Sequence, residues 1–187
     1  DALTELLGDA VTINVQNASN ETANCATIVA DFVASNVDLI MANATQAVIS
    51  SATATSDIPI VGTSVTDYVT TGTVKSNDAP GGNVTGTSDL APIDQQVELL
   101  QKLVPDAKNV GILYCSAEAN SVYQAEQAQK YLEKAGITAK TYTAADSNDI
   151  QQVVTKAADE NDAIYIPTDN TIASNMEIVK NVTVPAK

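Results

Sequence analysis

The sequence contains no histidine and no arginine, and both absences limit its chemistry. Histidine is the usual general base near neutral pH and the commonest metal ligand, so Ser-His-Asp and Cys-His catalysis are excluded within this chain. All 9 basic residues are lysine, so no guanidinium can bind a carboxylate or phosphate in bidentate fashion. An anionic ligand group would have to be held by backbone N–H groups, hydroxyls, amides or lysine.

Basic charge is also scarce, because 23 acidic residues give a formal net charge of −14. This charge argues against nucleic acid and against an anionic membrane surface as partners. The two cysteines, Cys25 and Cys115, are interpreted as reduced packing residues, with a disulfide between them as the alternative. No metal-ligand spacing or phosphate-binding glycine loop occurs, so we expect no cofactor and no metal.

Short β-branched segments alternate with longer helical segments, which is typical of a parallel sheet with crossover helices. Strands are predicted at residues 11–15, 37–42, 58–65, 84–88, 109–114, 138–143 and 163–167. Helices are predicted at residues 22–35, 45–55, 92–104, 121–135, 147–157 and 171–182. The fold class is therefore α/β, with parallel sheets.

Turn-forming residues are concentrated between Ser76 and Gly82, and we place a domain boundary there. Residues 1–80 would form a first Rossmann-like lobe, and residues 81–187 a second one. The alternation lacks a first strand and stops where a further strand would follow, so we expect both lobes to be incomplete. Asp1–Leu7 has a helical pattern, and a signal segment is expected to be absent from this chain.

Short polar side chains are concentrated in the loops that follow the predicted strands. Ligands of parallel α/β sheets bind outside the carboxyl ends of the strands, so these loops are the candidate site. They are residues 43–45, 63–67, 87–89, 116–121 and 167–170. Each could serve only to cap the next helix, which is the common role of such residues. Together they would suit a zwitterionic amino acid, with its carboxylate on helix N–H groups and its ammonium on Asp67, Asp89 or Asp169.

Six stretches of the sequence also form a recognisable series, and they keep their order along almost the whole chain. They are Ile40–Thr45, Gly62–Asp67, Pro80–Asp89, Val110–Tyr114, Glu118–Ser121 and Ala163–Asn170. The series resembles the tryptophan/tyrosine-type family of ABC transporter substrate-binding proteins. One departure is Gln46, which stands where that family often has proline; another is the absence of the family's first strand and the ligand loop that follows it.

The resemblance implies a type I periplasmic-binding-protein fold, in which two lobes close on a small amino-acid-like ligand, possible ligands including aromatic ones. It implies delivery to an ABC permease by an extracytoplasmic protein, lipid-anchored or periplasmic, that is not an enzyme. We expect a monomer that binds no nucleic acid. By matching motif, the ligand-binding residues would be Asn43, Thr45, Thr66, Asp67, Ser88, Asp89, Asn120, Ser121 and Asp169.

Two other functions stay open at this point. The chain could be the ligand-sensing domain of a regulator or receptor, which can share this fold. It could also be an α/β enzyme that uses carboxylates such as Asp67 and Asp169 for acid–base catalysis, although nothing in the sequence favours this. An upstream DNA-binding helix pair would favour a regulator, whereas a signal with a lipobox cysteine would favour a transporter component.

Overall fold

The computed structural model describes residues 2–186, whose strands form two parallel sheets of three strands each. The first sheet has the order β1 (Ile40–Asn43), β2 (Ile60–Val65) and β3 (Val84–Ser88). The second has β4 (Asn109–Cys115) at its centre, between β5 (Thr138–Ala144) and β6 (Ala163–Tyr165). These two sheets confirm the α/β prediction.

Eight α-helices and one short 3₁₀ turn, Gly8–Ala10, are present in residues 2–186. The helices are α1 (Ala2–Leu7), α2 (Thr22–Ala34), α3 (Thr45–Ala54), α4 (Ile93–Leu103), α5 (Ala119–Lys134), α6 (Ile150–Glu160), α7 (Asn170–Ser174) and α8 (Met176–Thr183). None of these helices has both the length and the apolar character needed to cross a membrane.

Each sheet has its own apolar core. In the first, Val29 of α2 and Val48 of α3 pack with Ile40 and Ile60 of the sheet. In the second, the central strand β4 is buried on both faces. Val110 and Ile112 belong to the core with α4 and α5, whereas Leu113 belongs to the core with α6 and α8. Burial on both faces explains why β4 is a nearly continuous apolar run rather than an alternating one.

β2 and β3 approach each other closely at two facing glycines. Gly62 and Gly86 are partners in the parallel register, and the ring of Tyr68 lies against both. A Cβ atom on Gly86 would lie 2.2 Å from the carbonyl oxygen of Gly62 and from the Tyr68 hydroxyl. The Tyr68 hydroxyl donates to the carbonyl of Thr87 at 3.1 Å, so the loop after β2 is anchored to β3.

The structure corrects three of the sequence predictions. Residues 11–15 form no strand, because a strand exists only with a hydrogen-bonded partner and none of residues 2–186 pairs with them. The predicted helix at 171–182 is two helices, α7 and α8, separated at Asn175. The segment Val84–Ser88, expected in the second lobe, pairs with β2 and so extends the first sheet past residue 80.

The chain consequently passes from one sheet to the other between Ser88 and Ile93, not at the turn-rich segment near residue 80. That segment is only a loop between two strands of one sheet. Residues 2–88 are called the first half below, and residues 93–186 the second half.

Candidate functional site

A buried polar cluster lies at the carboxyl ends of β4 and β6, and we call it the Thr168 cluster. It consists of the main chain of Thr168 and the side chains of Asn120, Ser121 and Gln124. The Asn120 amide donates to the Thr168 carbonyl at 2.9 Å, and the Ser121 hydroxyl donates to the same oxygen at 3.2 Å. Gln124 binds both the carbonyl and the N–H of Thr168, each at 3.4 Å. Two predicted site residues, Asn120 and Ser121, therefore meet directly beside a third, Asp169.

Asp169 is buried and serves as a helix cap. One carboxylate oxygen accepts from the N–H of Ile172 at 2.7 Å, at the start of α7. The other accepts from the N–H of Cys115 at 2.7 Å, which ties α7 to the end of β4. Burial raises the pKa of Asp169, and these two N–H groups only partly oppose the effect. A hydrogen bond from the Ser121 side chain also opposes the effect of burial, so the carboxylate already has partners from three residues.

Glu118 occupies the rest of the α7 N-terminus. Its carboxylate accepts from the N–H groups of Asn170 at 3.0 Å and Thr171 at 2.8 Å. It also accepts from their side chains at 2.8 and 2.7 Å. Burial by itself would raise the pKa of Glu118, but these four hydrogen bonds outweigh it and the pKa is lowered. Since the chain's own carboxylates take these N–H groups, α7 is not a site for a ligand carboxylate.

The loops after β2 and β3 converge at the carboxyl end of the first sheet. The Ser88 hydroxyl donates to the carbonyl of Thr66 at 2.7 Å, and the N–H of Asp89 donates to the carbonyl of Val65 at 3.0 Å. Thr66, Ser88 and Asp89 are therefore neighbours, as the sequence predicted. Asp67 turns away into its own loop, where its carboxylate accepts from the N–H of Thr70 at 2.7 Å and from Asn77 at 3.3 Å.

The turn between β1 and α3 lies at the same edge of the sheet. Asn43 is the register partner of Thr63, and Ala44 has a φ of 78°, which is uncommon for a residue with a side chain. Thr45, the first residue of α3, is 5 % exposed. Within residues 2–186, neither the Asn43 amide nor the Thr45 hydroxyl forms a hydrogen bond, and α3 has no side-chain cap. The turn therefore offers unoccupied donors at a helix N-terminus, which is the kind of site that binds anions.

Two side-chain hydrogen bonds join the halves within the described part of the chain. The buried one runs from the Gln124 amide to the Thr66 hydroxyl at 3.4 Å. The exposed one runs from the Asn20 amide to the Thr171 hydroxyl at 3.2 Å. The residues of the second half in these two bonds, Gln124 and Thr171, lie in or beside the Thr168 cluster. The candidate site is accordingly the region where that cluster meets the β2 and β3 loops.

The sequence analysis did not name Gln124, and it included Glu118 only as part of the 116–121 loop and of the stretch Glu118–Ser121. A signal for Gln124 was available, since it lies four residues after Asn120 and so shares its helix face. A polar side chain on a buried helix face needs a hydrogen-bond partner, so the position of Gln124 on that face indicates a structural or binding role. No such signal exists for Glu118, whose partners lie more than fifty residues away along the chain.

Cys25 and Cys115 are free thiols. Among residues 2–186, no three cysteine or carboxylate side chains lie together as a metal site would require. The site is thus built from hydroxyls, amides, backbone N–H groups and carboxylates, which is chemistry suited to binding a small polar molecule.

Residues 3–187 match the family profile of ABC transporter substrate-binding proteins. The chain is also 39% identical, over 175 residues, to a tyrosine-binding protein of Clostridioides difficile strain R20291. That alignment covers 94% of this chain and 51% of the relative, so the chain spans about half of the relative's length.

Two solved structures of similar sequence differ in how closely they match. The ABC domain from Streptococcus pneumoniae in complex with L-Trp is 38% identical and superposes with a TM-score of 0.92, over 98% of this chain and 65% of that one. A ligand-free, open substrate-binding protein with adhesive properties from Clostridium difficile is 35% identical, with a TM-score of 0.65 over 99% of this chain and 64% of that one. At nearly equal coverage, this structure superposes better on the L-Trp complex than on the ligand-free open structure.

Proposed function

The chain belongs to the family of ABC transporter substrate-binding proteins, and from this premise we propose that it captures a small amino acid between its two halves. Its fold is the type I periplasmic-binding-protein fold of that family. The observation that carries the proposal is the meeting of polar loops from both halves, with Thr66 and Gln124 in buried contact. Such a junction between two α/β units is where ligands of this fold class bind.

We assign the ligand carboxylate to the start of α3. The Thr45 hydroxyl and the first N–H groups of that helix are unoccupied, and they replace the arginine that the chain lacks. α7 is excluded as the carboxylate site because Glu118 and Asp169 already accept from its N–H groups. The remaining predicted residues around the site are Asn43, Thr66, Ser88, Asn120 and Ser121.

We assign the ligand ammonium to Asp89 or Asp169. Asp89 is exposed at the end of β3, and Asp169 lies beside the Thr168 cluster. Asp67 takes a supporting role, because its carboxylate holds the loop that follows Thr66. An ammonium between the halves would need such an anion, since a buried unpaired charge is costly.

The relatives favour an aromatic ligand. One is a tyrosine-binding protein, and the structure that superposes most closely of the two compared contains L-Trp. We infer that the protein works outside the cytoplasm, lipid-anchored or periplasmic, as a monomer that delivers its ligand to an ABC permease without chemical turnover.

A thermal-shift screen of the twenty amino acids on the complete protein tests this function. Tryptophan and tyrosine are expected to raise the melting temperature most, with a stabilisation of about 2.7 kcal/mol when the ligand is at a hundred times its Kd. Calorimetry would then give the affinity. An absence of any shift, across amino acids and related small metabolites, would overturn the proposal.

A Thr45→Val substitution tests the carboxylate site. It keeps the side-chain shape but removes the hydroxyl, so the affinity should fall about tenfold because a hydrogen bond to a charged group is lost. The matched control is Thr53→Val in the same helix, where the hydroxyl is exposed and donates only to the Ile49 carbonyl. Equal affinities for the two variants would remove Thr45 from the site.

A further inference from the structure

Gln124 contacts both halves from a fully buried position. Its side chain is 1 % exposed, and that of Thr66, its partner in the first half, is 4 % exposed. Among residues 2–186, Gln124 is the one buried residue of α5 that forms a hydrogen bond with the first half. Gln124 also binds Thr168, the residue that precedes Asp169. One amide therefore contacts both the first half and the loop that carries Asp169, a proposed ligand-binding residue.

The hydrogen bonds of Gln124 are shared and long. Its Nε2 faces the Thr66 hydroxyl at 3.4 Å, the Asn120 carbonyl at 3.2 Å and the Thr168 carbonyl at 3.4 Å. An amide nitrogen has two N–H groups, so three acceptors compete for two donors. If Thr66 moves away, both donors still have acceptors within the second half. Releasing Thr66 therefore leaves no buried donor unsatisfied, which would otherwise be costly.

We propose that Gln124 is a positioning residue that stabilises the closed arrangement of the two halves through Thr66. The contact stabilises the closed arrangement when the halves meet. When the halves separate, its loss leaves no buried donor of Gln124 without an acceptor. The same amide holds Thr168 with or without the Thr66 contact, so Gln124 also keeps the loop of Asp169 in place beside the proposed site. This inference rests on the proposed function, since it assigns a role in closing on an amino acid.

The resemblance to the two solved structures is consistent with this role. With the Thr66–Gln124 contact present, this structure superposes better on the L-Trp complex than on the ligand-free open structure. The exposed Asn20–Thr171 contact also joins the halves, but water competes for exposed side chains, so we expect it to contribute less.

A double-mutant cycle on the complete protein tests the proposal. The four proteins are the wild type, Gln124→Met, Thr66→Val and the double variant, each titrated with L-tryptophan and L-tyrosine. Thr66→Val should weaken binding about fivefold in the wild type and by less than about twofold in the Gln124→Met background. If Gln124 only supports the second half, Thr66→Val will have the same effect in both backgrounds, and the proposal is wrong.

A matched control comes from the same helix. Gln129 points to Glu133 on the exposed side of α5, so Gln129→Met should leave the affinity unchanged and should not alter the effect of Thr66→Val. Should Gln124→Met fail to fold, Thr66→Ser replaces it in the test. This variant keeps the hydroxyl, so without ligand it should keep the radius of gyration that Thr66→Val increases, and equal increases in the two variants would contradict the proposal.

Small-angle scattering without ligand separates this inference from the proposed function. Thr66→Val and Gln124→Met should each increase the radius of gyration, and the double variant should show no further increase. If the wild type binds no amino acid, the proposed function fails while the scattering result still decides the role of Gln124. Additive increases, or none in either variant, would overturn it.

Discussion

Carboxylates near the candidate site differ in which group they bind. Asp169 and Glu118 both accept from N–H groups at the start of α7, whereas Asp67 accepts from its own loop. Of these four carboxylates, only that of Asp89 accepts no hydrogen bond within residues 2–186. A carboxylate that is already bound several times is a poorer partner for a ligand than one that is unoccupied. Asp89 is accordingly the simpler of our two assignments for the ammonium.

Glu118 should give part of the acid sensitivity of the protein. Its folded pKa is below the ordinary value of 4.5, so below about that pH the unfolded chain binds more protons than the folded one. Its contribution is therefore complete above the ordinary value and is lost as the pH falls through the folded pKa. Glu118→Gln should lower the free energy of unfolding at neutral pH and should reduce its decrease on acidification.

Urea unfolding of the two proteins at about pH 7 and about pH 3.5 measures this difference. Glu98→Gln on the exposed face of α4 is the control, and it should leave the acid dependence unchanged. If Glu118→Gln and the wild type lose the same free energy on acidification, the α7 N-terminus does not depend on an ionised Glu118.

At the scale of elements, the two strands β2 and β3 depend on the absence of side chains at Gly62 and Gly86. Gly86→Ala would place a methyl group against the main chain of β2, which cannot move without breaking the pairing. We expect a loss of unfolding free energy of about 1–3 kcal/mol, the usual cost of overpacking. Gly82→Ala is the control, since a Cβ atom there meets nothing within 4 Å.

Chemical denaturation of the two variants gives the comparison directly. Equal stability of Gly86→Ala and Gly82→Ala would show that β3 does not lie against β2 as described. The test also concerns the site, because Thr66 and Ser88 stand at the ends of these two strands.

The whole molecule should show little pH dependence around neutrality. No histidine is present, and burial raises the pKa of the Cys25 thiol above its ordinary value. Burial likewise raises the pKa of Tyr165 to about 12. The melting temperature should therefore be nearly constant between about pH 6.5 and 8. A clear slope in that range, measured by calorimetry, would contradict this expectation.

The net charge acts at the same scale. A formal charge of −14 repels other copies of the molecule and does not by itself specify a ligand. The proposed ligand chemistry therefore rests on a few loops rather than on the overall charge.

The sequence by itself determined the parallel α/β class, the apolar centre of the second sheet and the set of loops at the strand ends. It also determined that the site contains neither histidine nor arginine. These properties follow from composition and from local periodicity, as the run of β4 and the helical spacing of α5 illustrate. Residues as far apart as Asn43 and Ser121 could be named as candidates because each follows a strand.

Only the tertiary structure decided which of these polar residues face one another. Thr66 meets Gln124 across 58 positions, whereas Asp67, the next residue, binds its own loop. Val84–Ser88 joined the first sheet, and residues 11–15 joined none, because strand pairing depends on a distant partner that a local pattern does not specify. Hydrogen-bond partners of buried side chains are equally distant in sequence, and for this reason the cluster around Thr168 became visible only in the fold.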